Sequence, residues 1–390
     1  MDATIQSGSQ EEASSPFATR RIIHVVRQFA PSVGGLEDVV KNLANQQRNR
    51  FEDVKVVTLD RLFTDPGKHL SSQETIDGIE VLRIPYSGSS RYPIAPSVLS
   101  RISEADLVHV HAIDFFFDFL ALTRLIHHRK LVATTHGGFF HTRKFARIKS
   151  IWFNTLTRFS ASQFAGLVCC SASDLDLFQK IAPHKSVLIE NGAGIEKFMD
   201  ASSPRPCKRL LTLGRFSSNK RLDRLLDLMS VLTKKDPAWR LDIAGMESEL
   251  TADQLIEESS TRGLAEHIDV HVGLSNDELR RLIGQCSLFV SASEYEGFGL
   301  VLIEAMSAGL VPVVEANDAF RAIAWKHPLV RTVDYADTRR AADSIQASFA
   351  ELERHPGLRS EAIGAARDYG WSAKAQQYEN LYRDILSTRP

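Results

Sequence analysis

The sequence predicts an α/β chain of two Rossmann-like, doubly wound domains facing a central cleft. Three observations predict it. Short apolar runs alternate with amphipathic helical stretches, which argues for parallel sheets covered by helices. That pattern ends near residue 198 and starts afresh at Arg209. In each half, glycines or cations follow the first strand, where such sheets bind ligands. A length of 390 residues agrees, being too long for one ordinary domain and suited to two of roughly 150–200 residues.

Taken in order, residues 1–20 are rich in Ser, Gln, Glu and Ala and lack the apolar core of a signal peptide, so a disordered tail is expected. The N-terminal domain, 21–198, opens on the apolar run 21–26. Gly34 and Gly35 follow, then a helix over 36–47 with Leu36, Val39, Val40 and Leu43 on one face. Further strands are expected at 54–58, 79–84, 107–110, 131–135, 167–170 and 187–189. The polar stretch 199–206, with two prolines, reads as the connector. The C-terminal domain, 207–368, has strands at 209–213, 239–244, 268–272, 288–292 and 311–314. Residues 369–390 read as a closing amphipathic helix.

Composition excludes several classes. A net charge of −1 means that the chain as a whole does not bind nucleic acid by bulk positive charge, and 43% hydrophobic content is that of a globular protein. The four cysteines show no metal-ligand spacing, which fits reduced thiols in the cytoplasm. No apolar run is long enough to span a bilayer, so any membrane contact is at the surface. Within 139–153, Arg143, Lys144, Arg147 and Lys149 are interleaved with aromatic residues including Trp152, a pattern suited to an anionic membrane surface.

The chemistry-bearing residues cluster at strand ends. Glu296 and Glu304 lie eight positions apart with Gly297, Phe298 and Gly299 between them, after one strand and before another. In one continuous helix their side chains would stand about 80° apart and about 12 Å along the axis. The glycines instead make Glu296 a loop residue, free to face a sugar, while Glu304 sits in the helix within reach of a ribose diol. The backbone N–H groups between them suit a phosphate. Arg215 and Lys220 flank the loop after strand 209–213, where a planar fork and a point charge suit a diphosphate. His136, before Gly137 and Gly138, is placed to hydrogen-bond a sugar hydroxyl. Asp114 is either an acceptor-orienting carboxylate or a helix cap. The pair Asp174 and Asp176 reads as compensation of a helix dipole, not as a metal site.

With these residues in view, the chain resembles the family 4 retaining glycosyltransferases of GT-B fold. The resemblance covers nearly everything after the tail, and its most specific element is the block Glu296 to Glu304 with Gly-Phe-Gly inside it. It implies the donor sugar for Glu296, the ribose for Glu304, the diphosphate for Arg215 and Lys220, and the transferred sugar for His136. The stretches 25–37 and 136–142 are similar to those of the α-mannosyltransferases of xanthan- and acetan-type exopolysaccharide assembly. That subgroup implies a GDP-mannose donor, a polyprenyl-diphosphate-linked cellobiose acceptor, an α-1,3 bond and a role for Ser171, while Arg215, Lys220 and backbone N–H groups are expected to neutralise the diphosphate in place of a metal. The expected location is cytoplasmic, peripherally associated with the inner face of the plasma membrane. One departure is the segment 315–320, where many relatives carry Gly-x-x-Glu. Glu296 retains two roles at this level, nucleophile or donor positioner. Other readings on the same architecture are a UDP-sugar donor, a sugar-nucleotide epimerase or a phosphorylase; a catalytically silent carbohydrate- or lipid-binding module is a third class.

Overall fold

In the computed structural model, which describes residues 17–32, 34–90, 92–136 and 151–388, the chain forms two compact units. One is Met1–Gly192 with Lys374–Pro390; the other is Ala193–Ala373.

The first unit is built on an eight-stranded sheet. Its strands are β1 (Arg21–Val25), β2 (Asp53–Leu59), β3 (Gln73–Ile76), β4 (Ile79–Ile84), β5 (Leu107–His111), β6 (Lys130–Thr134), β7 (Gly166–Cys169) and β8 (Ser186–Leu188). Their order is β8-β7-β6-β5-β1-β2-β4-β3, parallel except for β3, which runs antiparallel to β4. The order reverses between β1 and β5, paired in register from Ile22 with Leu107 to Val25 with Val110. The central strands of this sheet, such as Arg21–Val25 and Leu107–His111, are buried almost throughout because both faces are covered. The Phe115–Leu122 helix, with Phe116, Phe117 and Leu120, lies over one face. Val40, Leu43 and the C-terminal residues Ala375, Tyr378, Tyr382 and Ile385 lie over the other. Each fully buried aromatic there contributes on the order of 2–3 kcal/mol of apolar transfer.

Two boundaries differ from the sequence reading. Order begins before residue 21: Phe17 is buried and stacks on Phe51 with ring centroids 4.6 Å apart. The units also divide at Gly192 and not within 199–206. The reason is packing, since Ile195 and Phe198 are buried against Leu211, Leu302 and Ala366 of the second unit.

The second unit holds a six-stranded parallel sheet: β9 (Arg209–Leu213), β10 (Arg240–Gly245), β11 (Ile268–Val272), β12 (Leu288–Ser291), β13 (Val311–Glu315) and β14 (Arg331–Val333). Its order, β11-β10-β9-β12-β13-β14, is the 3-2-1-4-5-6 arrangement of dinucleotide-binding folds. The reversal falls between β9 and β12, so the loops leaving these two strands flank the switch point.

Candidate active site

The loop after β9 is set by close backbone contact. Gly214 has φ +144°, a region closed to residues with side chains, and a Cβ on Gly245 would lie 1.7 Å from the Gly214 carbonyl oxygen. A single turn, Ser218–Lys220, follows, and Arg221 adopts φ 46° before the Leu222–Lys235 helix. This delivers Lys220 to the neighbouring loop, where its Nζ donates to Glu296 Oε1 at 2.6 Å. Both side chains are mostly buried, at 17% and 15% exposure.

The two loops are fastened by more than that pair. Asn219 Nδ2 donates to the Tyr295 carbonyl at 2.8 Å, and the Tyr295 and Glu294 amides donate to Asn219. Arg221 pairs with Asp223 and Glu294, while Arg224 bridges Glu294 and Glu315. Arg215 is exposed and has no ion pair among the described residues. The scaffold therefore consumes Glu294, Arg221 and Arg224 and leaves Arg215 available to an anion.

Gly297 is exposed and Phe298 half-buried, its ring edge-on to Tyr369 at 6.2 Å. Gly299, with φ 82°, ends the loop, and the Leu300–Ser307 helix starts without a side-chain cap. Its first-turn N–H groups are thus open to a negative charge. Glu304 is half-buried inside this helix. Burial pushes its carboxyl up from the usual carboxylate range, and the charge of Lys197 partly opposes this. Two hydroxyl donors from a diol would restore the charged form. The departing segment 315–320 is structural: Glu315 accepts from the Tyr335 amide, and Asn317 caps the Asp318–Lys326 helix while donating to the Ser293 carbonyl.

In the first unit, Gly34 is the uncapped N-cap of the Gly35–Gln47 helix, with extended backbone that any residue adopts. A Cβ there would meet only the flexible Glu37 carboxylate, at 2.6 Å, and one on Gly35 would meet nothing within 4 Å. These glycines leave room for a ligand but are not demanded by the fold. Ser171 caps the Ala172–Phe178 helix by accepting from the Asp174 amide at 3.2 Å, and Asp174 in turn accepts from Thr135 at 2.5 Å. Asp114, following β5, is seen in the second of its two expected readings, as a helix cap. Its Oδ1 caps the Phe115–Leu122 helix at the Phe116 amide, while its Oδ2 is buried without a partner among the described residues. Burial raises its pKa to about 7, against opposing effects of Arg27 and backbone N–H groups.

His136 lies just past β6 at φ 52°, an uncommon conformation for a residue with a side chain. It heads a run of hydrogen-bonded rings that the sequence reading did not assemble. His136 Nε2 is 3.0 Å from His111 Nδ1, His111 Nε2 is 2.9 Å from His24 Nδ1, and His24 Nε2 is 2.9 Å from Gln47 Oε1. His109 is held separately by Tyr382 and Thr134. The visible signal was His109-Val110-His111, which strand alternation places on one face. Among the described residues, His24, His109 and His111 also bring three ligating atoms within 4.8 Å. All their ring nitrogens are already engaged in hydrogen bonds.

Residues 33–197 match the family described as Glycosyltransferase Family 4, and residues 196–367 match Glycosyl transferases group 1. The GDP-mannose:cellobiosyl-diphosphopolyprenol alpha-mannosyltransferase of Komagataeibacter xylinus is 42% identical over 372 residues, 94% of each chain. The protein of the same name from Xanthomonas campestris is 43% identical over 371 residues, covering 94% of this chain and 98% of its own. The chain belongs to glycosyltransferase family 4. A solved glycosyltransferase from Rickettsia africae, 17% identical, superposes with a TM-score of 0.69 over 96% of this chain and all of its own, which supports the GT-B fold.

For this glycosyltransferase, Asp114 yields a stability prediction. Its folded pKa lies above the unfolded carboxylate value of about 3.9, so ionisation opposes folding. Stability is fully present below about pH 4 and declines as pH rises toward about 7. Asp114→Asn keeps the helix cap and removes the ionisation. Its melting temperature is expected to exceed that of wild type at pH 8 and to match it at pH 4. A lower value at pH 8 would show that the buried carboxylate is stabilising.

Proposed function

We propose that this glycosyltransferase moves mannose from GDP-mannose to a polyprenyl-diphosphate-linked cellobiose, with retention at the anomeric carbon and an α-1,3 bond, in exopolysaccharide assembly. The observation that carries the proposal is the Lys220–Glu296 pair beside an uncapped helix N-terminus at the switch point, with Glu304 further along that helix. A sugar diphosphate nucleoside matches that order of charges. The names of the two relatives supply the mannose, the guanine and the acceptor class.

In this reading Glu304 takes the ribose diol and Arg215, Lys220 and the amides from Gly297 to Leu302 take the diphosphate. Glu296 orients the donor sugar, His136 binds a hydroxyl of it, and Gly34 and Gly35 let the backbone approach. The bond from the anomeric carbon to the β-phosphate oxygen breaks as charge accumulates on the phosphate, which the cations and amides stabilise without a metal. The acceptor oxygen bonds on the same face, and its proton passes to the leaving phosphate. Glu296 already receives a hydrogen bond from Lys220, which favours positioning over nucleophilic attack. Asp114 and Ser171 are assigned to the acceptor.

No described helix is long and apolar enough to cross a membrane. Arg143, Lys144, Arg147 and Lys149 fall outside the described residues, while Trp152 and Ile151 are 44% and 65% exposed. Such exposed apolar groups support peripheral association with a membrane surface, and the proposed side is the cytoplasmic one, at the inner membrane face.

The test offers purified enzyme a panel of radiolabelled nucleotide sugars with cellobiosyl-diphosphopolyprenol and EDTA. Label is expected to enter lipid from GDP-mannose alone. Incorporation only from a UDP-sugar, or release of an epimerised nucleotide sugar, would overturn the assignment. Glu304→Gln is expected to raise KM for GDP-mannose about tenfold with kcat little changed, as loss of a ground-state contact requires; an unaltered KM contradicts the ribose role.

A further inference from the structure

We propose that Gln47, His24 and His111 are positioning residues that hold His136 as a hydrogen-bond acceptor, with the Nδ1 lone pair presented to a hydroxyl of the bound sugar. The geometry is a single directed chain. Gln47 is fully buried at the end of the helix that Gly34 opens, and its Oε1 faces His24 Nε2 at 2.9 Å. A carbonyl oxygen only accepts, so His24 Nε2 carries the hydrogen. A neutral imidazole has one N–H, which leaves His24 Nδ1 bare and able to accept from His111 Nε2 at 2.9 Å. The same step moves one ring along: His111 Nδ1 is bare and accepts from His136 Nε2 at 3.0 Å. Within this run of three rings, His136 Nδ1 is then left with a lone pair and no partner among the described residues.

Each ring is held neutral by desolvation, His24 and His111 being fully buried and His136 half-buried. Burial pushes His24 down to about 4 and His136 down to about 3, and it lowers His111 well below the ordinary value, with the neighbouring histidines adding to the effect. The opposite polarity needs the Gln47 amide nitrogen at His24 and three Nδ1–H rings. The neutral histidine side chain intrinsically favours Nε2–H, so the direction set by the Gln47 carbonyl agrees with the preference of all three rings. Aligned hydrogen bonds of this kind polarise one another, which reinforces one direction along the whole chain. His109 takes no part in that direction. Its ring lies 4.0 Å from that of His111 between centroids and is fixed by Tyr382 at 2.7 Å and Thr134 at 2.8 Å, so it walls the chain in place. The consequence for chemistry is specific. His136 accepts from a sugar hydroxyl and neither donates to the diphosphate nor acts as an imidazolium acid.

The identity of that hydroxyl rests on the proposed mannosyl transfer, but the tautomers do not, so the two fail separately. Imidazole-15N-labelled enzyme is examined by long-range 1H–15N correlation at pH 7, with signals assigned through single His→Asn variants. Nε2–H tautomers are expected at His24, His111 and His136, whereas Nδ1–H at any of the three overturns the proposal. In kinetics, Gln47→Leu removes the acceptor that sets the direction. It is expected to lower kcat roughly tenfold to a hundredfold, leave the Kd for GDP within twofold and give mixed tautomers at His136. Gln47→Glu, which retains an acceptor oxygen, is expected to stay within about threefold of wild type. Wild-type kcat in Gln47→Leu, or loss in both variants at unchanged melting temperature, overturns the positioning role. If Gln47→Leu does not fold, the wild-type tautomers still decide the matter.

Discussion

Lys220→Ala is expected to lower the kcat of mannosyl transfer by about 10²–10³-fold, the scale for removing one preorganised group from developing charge. The ammonium is mostly buried and fixed by Glu296 at 2.6 Å, so its charge is held in place before donor arrives. Truncation does double harm, because it removes the cation and leaves the Glu296 carboxylate unneutralised beside an incoming diphosphate. Arg215 shares the diphosphate but does not replace Lys220, since it is exposed to solvent and no ion pair among the described residues fixes it. Steady-state kinetics with GDP-mannose, at unchanged melting temperature, measure the effect. A turnover within threefold of wild type would remove Lys220 from the diphosphate site.

Gly245→Ala is expected to be the most damaging methyl group in the second unit. The new Cβ would sit 1.7 Å from the Gly214 oxygen and 2.7 Å from its carbonyl carbon. Both are backbone atoms, so no flexible side chain is available to yield. The β9 and β10 ends are tied there by Gly214 N to Ala244 O at 3.1 Å and Phe216 N to Met246 O at 2.8 Å. Relief requires parting these bonds, which costs on the order of 3 kcal/mol and lowers the melting temperature by roughly 6–12 °C for a unit of this size. Because Gly214 starts the loop that carries Arg215 and Lys220, GDP binding is expected to weaken as well. Calorimetric melting and GDP titration check both effects; a wild-type result in both would mean the backbones separate freely.

Much of this fold was legible because parallel strands buried on both faces leave short, mostly apolar runs such as Gly166–Cys169 and Leu288–Ser291. The edge strand Gln73–Ile76 was not, since its sequence is mostly polar and half-solvated. The unit boundary was misplaced because prolines mark a connector while Ile195 and Phe198 mark burial, and burial decides. In the site, Gly297 and Gly299 separated Glu296 in a loop from Glu304 in a helix, since they interrupt the helical run. Spacing does not reveal Asn219 as the fastener of two loops, because its partners lie more than seventy positions away. The histidine chain was hidden for the same reason: β1, β5 and the end of β6 contribute one ring each, joined only by the strand order.

The central claim, that a nucleoside diphosphate sugar lies along the second unit's switch point, is tested most directly by a crystal structure with GDP-mannose bound under EDTA. The account predicts the β-phosphate within hydrogen-bond distance of Lys220 Nζ, the ribose diol on Glu304, and the mannose at Glu296. A donor whose diphosphate lies away from Lys220, or whose ribose leaves Glu304 unpartnered, would contradict it.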